Sequence, residues 1–115
     1  LEKNRIVIFA AGTGNPFFST DTAASLRASE MGCSKILKAT KVSGIFDSDP
    51  NLDKNAKLIK EITYSEVISK NLRVMDMTAI SLAKESNIPI YITNIFEENS
   101  IIRALKEEGN YSKIH

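Results

Sequence analysis

The chain has 115 residues; 15 Lys and Arg against 14 Asp and Glu leave a formal net charge of +1, with 43% of residues hydrophobic and 25% charged. This balance predicts one globular domain, and it excludes disorder and the broad positive field of a nucleic-acid binder. No apolar run approaches the ~20 residues that cross a bilayer, residues 1–5 lack the layout of a signal peptide, and the single cysteine, Cys33, permits neither an intrachain disulfide nor a cysteine-built zinc site, all of which points to a reducing, cytoplasmic setting.

Residues 5–11 (RIVIFAA) form a continuous apolar, β-branched run that predicts a strand buried on both faces of a parallel sheet. The chain opens on Leu and enters this run at once, which suggests a piece of something longer. Residues 12–20 (GTGNPFFST) carry loop punctuation, and a helix follows to about Met31, with Thr20 or Asp21 as its cap and Gly32 as its left-handed stop. Residues 35–39 (KILKA) predict a second strand, completing a βαβ unit. The polar stretch 40–57 predicts a long functional or mobile loop. Thr63 and Glu66 fit a capping box for a short helix to about Lys70. A helix over 76–87 capped by Asp76, a strand over 90–94, a helix from Asn99 or Ser100 to about Glu108 and a final strand from Tyr111 complete the chain. Met75 and Met77 read as core filler, and Cys33 as a small packed residue.

The segment 12–21 is the richest in chemistry. It lies between a strand and a helix, at the sheet end where open α/β folds bind ligands. A helix N-terminus there favours a phosphate. Gly12 and Gly14 permit close approach of the backbone, and the hydroxyls of Thr13, Ser19 and Thr20 can donate to phosphate oxygens. Phe17 and Phe18 can pack on a flat ring. The alternative is a plain strand–helix connection with aromatic plugs. The segment lacks the lysine of a P-loop, and Phe17 occupies the third glycine position of a dinucleotide fingerprint. Asp21 reads either as a simple helix cap or, beside a phosphate, as a carboxylate that needs Mg²⁺ or a lysine as neighbour. Residues 38–50 leave the next strand end and face the same crevice. Asp47, Asp49 and Asn51 imitate a calcium loop, but Leu52 and Leu58 stand where that loop requires Gly and Glu. The only histidine is the last residue, so no Ser-His-Asp or Cys-His arrangement is available.

Three stretches together resemble the bacterial UMP kinases. AAGTGNPFFSTDTAASLRASEMG is similar to their uridylate-binding segment, KATKVSGIFDSDP to their ATP-binding segment, and TYSEVISKNLRVMDMTAISLAKESNIPIYITN to their C-terminal stretch. The resemblance implies a three-layer αβα sandwich with a mainly parallel sheet, amino-acid-kinase-like. It implies that residues 1–115 are the C-terminal nucleotide-binding part of one such domain, with the N-terminal half missing. The activity implied is transfer of the ATP γ-phosphoryl group to UMP with Mg²⁺ and no dedicated protein metal site. Thr13, Gly14, Asn15, Pro16, Phe17, Phe18, Ser19 and Thr20 would bind UMP. Thr40, Phe46 and Asp49 would contact ATP, and Asp21 would be catalytic, holding phosphate-contacting basic residues in place. The family further implies a cytoplasmic homohexamer activated by GTP and inhibited by UTP, with no nucleic-acid or membrane partner. Ser43 and Ser19 depart from the family's usual Asp and Thr. The family's lysine-bearing K-L-S-G loop has no counterpart here, so the isolated chain is expected to be inactive or nearly so, with a hydrophobic strand edge exposed. A relative acting on carbamate, glutamate or aspartate and a non-catalytic nucleotide-binding module are the alternatives.

Overall fold

A computed structural model describes residues 4–10, 12–16 and 18–115. The central element is β5 (Ile90–Asn94), buried at Ile90, Tyr91, Ile92 and Thr93, which fits its run of Ile, Tyr and Ile. It pairs in parallel with β1 (Ile36–Thr40) and antiparallel with β6 (Tyr111–Ile114), which in turn pairs in parallel with β4 (Glu61–Ile62). The sheet order is therefore β1-β5-β6-β4, with two of its three pairings parallel. The stretch 40–57 is not wholly loop. It contains β2 (Ile45–Phe46), which pairs antiparallel with β3 (Leu58–Ile59), just beyond the stretch, as a separate two-stranded hairpin.

Alternation along β5 assigns the layers. Ile90 and Ile92 point into a core shared with α1 (Thr20–Glu30), α2 (Tyr64–Ser69) and α3 (Met77–Glu85), through Ala28, Val67, Ala79, Ile80 and Ala83. Tyr91 points the other way, into a smaller cluster with Ala104 of α4 (Ser100–Leu105). Helices thus cover both faces, as expected of an αβα sandwich. Small residues at the α1–α3 contact (Ala23, Ser25, Ala28, Ala79 and Ala83) are buried and leave room for close helix approach. The Ser25 hydroxyl also donates to the Ala79 carbonyl at 2.9 Å. Met75 is buried and Met77 packs against the same core, as the sequence predicts.

Several local expectations need correction. Residues 5–10 form no strand, although their composition predicts one; Ala11 lies outside the described residues. Ile6 and Ile8 are 95% and 88% exposed. Val7 and Phe9 face β1 across a cavity of about 300 Å³ instead of hydrogen-bonding to it. A β-branched run becomes a strand only when a ladder partner stands beside it, and propensity alone does not supply one. The cap of α1 is Ser19, which accepts the Thr22 N–H at 3.1 Å, so neither Thr20 nor Asp21 has that role. Asp76 occupies the cap position of α3 without capping it. The final helix stops at Leu105, followed by Glu107 in the left-handed region. Cys33 is exposed, not packed. Thr63 caps α2 as predicted, and Gly32, at φ +65°, takes the left-handed position just after α1. Among the described residues no helix is long and apolar enough to cross a membrane.

Candidate functional site

Ile36 enters the core under α1 and α3, so Lys38 and Thr40, two and four residues on, share that face of β1. This places Lys38 beneath the N-terminus of α1. Its ammonium meets the Asp21 carboxylate at 3.1 Å and donates to the Val74 carbonyl at 2.9 Å. The Asp76 backbone N–H donates to the same Asp21 oxygen at 3.2 Å. Asp21 is therefore not spent on its own helix: with Ser19 as the cap, its carboxylate is free to hold a lysine. A lysine is one of the two neighbours that the functional reading of Asp21 requires.

Asp76 ties the start of α3 to the start of α1. It accepts the Thr22 hydroxyl at 2.7 Å and the Ser19 hydroxyl at 3.1 Å. The Thr22 hydrogen bond foremost, then that of Ser19, holds the Asp76 carboxyl below the usual carboxylate range. Asp21, Lys38, Asp76 and Arg73 line an open cleft of about 430 Å³. Arg73 and Val74 also line a second cleft of about 480 Å³, walled by Gly44, Phe46 and Asp49. The two clefts adjoin along the α2–α3 connection. One offers an ammonium and a guanidinium, the cations that bind phosphate, and the other a half-buried aromatic ring.

The sequence-predicted residues fall in three places. Thr13, Asn15 and Phe18 line a cavity of about 270 Å³ with Thr22, Leu26 and Thr78. Gly12 and Thr20 line a smaller one of about 200 Å³ with Phe9 and Arg27. Gly14 (φ +81°) and Pro16 lie in the exposed turn between, where the Thr13 hydroxyl accepts the Asn15 N–H at 3.0 Å. Phe17 lies outside the described residues. Phe46 and Asp49 line one cleft. Thr40 ends β1 on the Lys38 face, and its carbonyl accepts the Ile95 N–H at 2.8 Å. The predicted uridylate residues thus flank the start of α1 and do not converge in one cavity. Ser43 donates to Glu97 at 2.8 Å.

Sequence reasoning missed Arg73 and Asp76 as parts of the cleft. Lys38 was visible only as a basic residue at a strand end. Arg73 lies in a connection without motif, and no signal in the sequence marks it. Among the described residues, no group of three or more His, Cys, Asp or Glu side chains converges as a metal site.

Residues 1–94 match the model of the amino acid kinase family. The chain is 57% identical to uridylate kinase PUMPKIN, chloroplastic, of Arabidopsis thaliana, over 94% of this chain and 32% of that protein. It is 54% identical to a uridylate kinase of Campylobacter curvus, over 95% of this chain and 46% of that protein. Among solved structures, the UMP kinase of Ureaplasma parvum superposes with a TM-score of 0.90 at 40% identity, covering 98% of this chain and 48% of that one. The chain thus spans about a third to a half of the length of the curated relatives it matches.

Proposed function

The chain belongs to the amino acid kinase family, and on that premise we propose that it is the C-terminal nucleotide-binding part of a UMP kinase, which transfers the γ-phosphoryl group of ATP to UMP to give UDP and ADP. The observation that carries this reading is the Asp21–Lys38 ion pair at 3.1 Å, set where the 12–20 loop enters α1 and opening onto the wall that Arg73 and Val74 share with the Phe46–Asp49 cleft.

Thr13 to Thr20 hold UMP around the start of α1. Thr40, Phe46 and Asp49 hold ATP beyond the α2–α3 connection. Phosphoryl transfer demands positioning and charge neutralisation more than covalent chemistry. Asp21 serves it by fixing the Lys38 ammonium on the face that meets both nucleotides, and the Val74 carbonyl removes a second degree of freedom from the same group. Arg73 adds a cation where the two clefts adjoin. An ammonium oriented before the reaction stabilises developing phosphoryl charge without reorganising during the step. Magnesium would arrive on the nucleotide phosphates and would supply charge neutralisation there, in the cleft that Asp21, Lys38 and Arg73 line. The homohexamer, GTP activation, UTP inhibition and cytoplasmic setting come with the family resemblance and belong to the same proposal.

The test is a phosphotransfer assay on the full-length protein, offered UMP, carbamate, glutamate and aspartate with ATP. The expected products are UDP and ADP. Phosphorylation of an amino acid but not of UMP overturns the reading. The isolated 115-residue chain is expected to give no measurable turnover of UMP.

A further inference from the structure

We propose that Ser112 is a positioning residue for the nucleotide loop, its buried hydroxyl locking the β2–β3 hairpin onto the central sheet and so fixing where Phe46 and Asp49 stand. The inference rests on the ATP side of the function proposed above. Ser112 lies in β6, fully buried, two residues before Ile114 and so on the sheet face covered by α1, α2 and α3. Its Oγ accepts the Ile45 N–H at 2.8 Å and donates to the Ile59 carbonyl at 2.5 Å. One hydroxyl thereby joins both strands of the hairpin to a sheet strand more than fifty residues away in sequence. A serine hydroxyl has one proton and two lone pairs, and here the donor and one acceptor site are both used on hairpin backbone.

The fit at this point leaves no slack. A Cβ added to Gly44 would stand 2.3 Å from Ser112 Oγ, 2.9 Å from Ser112 Cβ and 3.0 Å from Leu58 Cδ1, and the Gly44 φ of +155° disfavours any other residue. The hairpin backbone is therefore seated directly on Ser112. Beyond the seat, the loop tip carries hydrogen bonds of its own. Asp49 accepts the Asn51 N–H at 2.8 Å, Asp53 accepts the Asn55 N–H at 2.9 Å, and Ser48 donates to Asp53 at 3.0 Å. The tip is exposed, so its place relative to the Arg73 wall is set at the hairpin base. The Ser43 hydrogen bond to Glu97 is a second, outer tether that leaves the Ile45 and Ile59 backbone untouched.

The experiment compares wild type, Ser112→Ala and Ser112→Cys in the full-length protein. Hydrogen exchange of the hairpin amides is measured alongside kcat and the KM values for ATP and UMP. Ser112→Ala is expected to speed exchange at Ile45 and its neighbours roughly tenfold and to raise the KM for ATP by about fivefold to tenfold, with kcat at saturating ATP and the KM for UMP within about twofold. Ser112→Cys, which adds no branch at Cβ and keeps a weak S–H donor and a sulfur acceptor, gives values between the two. Unchanged exchange, or lost protection with an unchanged KM for ATP, overturns the lock; so does an equal rise in the KM for UMP. Wild type that fails to bind ATP sinks the underlying reading and the lock with it, whereas wild type that binds ATP with an indistinguishable alanine variant sinks the lock alone.

Discussion

Replacing Asp21 by Asn keeps the shape of the side chain and an oxygen for the Asp76 N–H, and removes only the charge facing Lys38. The two side chains are about a quarter exposed, at 26% and 25%. Two unit charges 3.1 Å apart attract by about 5 kcal/mol at an effective dielectric of 20. Desolvation and side-chain ordering offset most of that, leaving a net coupling of roughly 1–2 kcal/mol. At roughly 2–4 °C per kcal/mol for a protein of 150–250 residues, the melting temperature of the full-length protein should therefore fall by roughly 2–8 °C. Turnover should fall further, by about 10²-fold to 10³-fold in kcat, because an ammonium no longer held in place must be ordered during the reaction. The dissociation constant for ATP should change by no more than about threefold. Lys38→Met supplies the second arm of a double-mutant cycle in chemical denaturation, with an expected coupling of roughly 1–2 kcal/mol. Strict additivity of the two substitutions, or a loss of ATP affinity as large as the loss of kcat, would refute the role assigned to Asp21.

Ile90→Ala empties a fully buried position in the strand that carries both faces of the sheet and should cost about 2–5 kcal/mol, read as a lowered denaturation midpoint with an unchanged slope. Acid should destabilise the protein through Asp76 and Glu107. The Tyr91 hydroxyl foremost, at 2.6 Å, and then Lys113 hold the Glu107 carboxyl low, while the Thr22 hydroxyl does the same for Asp76. A depressed carboxyl contributes stability that is present above its unfolded pKa of about 4 and is lost as pH falls through its lower folded value. Asp76→Asn and Glu107→Gln should each flatten the loss of stability below about pH 4; a denaturation series against pH that matches wild type would count against both assignments.

Some elements are fixed by local chemistry and are legible in the chain. Residues 90–92 are apolar or aromatic and follow Pro89, and they begin the central strand. Thr63 with Glu66 marks the start of α2, and Gly32 the stop of α1, because caps and left-handed stops depend on a few neighbouring residues. The same locality misleads at residues 6–9, whose composition reads as a core strand although they are exposed, since burial requires a partner that local sequence does not contain. The candidate site divides along the same line. The 12–21 and 38–50 segments stand out by their glycines, hydroxyls and carboxylates. The pairing of Asp21 with Lys38 and the seating of Gly44 on Ser112 link residues 17 and 68 positions apart, and the two clefts join at Arg73, in a connection between helices. Sequence by itself determined which residues can bind, cap or turn, because those properties belong to single side chains and their immediate neighbours. Only the tertiary structure decided which of them meet, because a charge or a hydroxyl acquires its role from what the folded chain brings within about 3 Å of it.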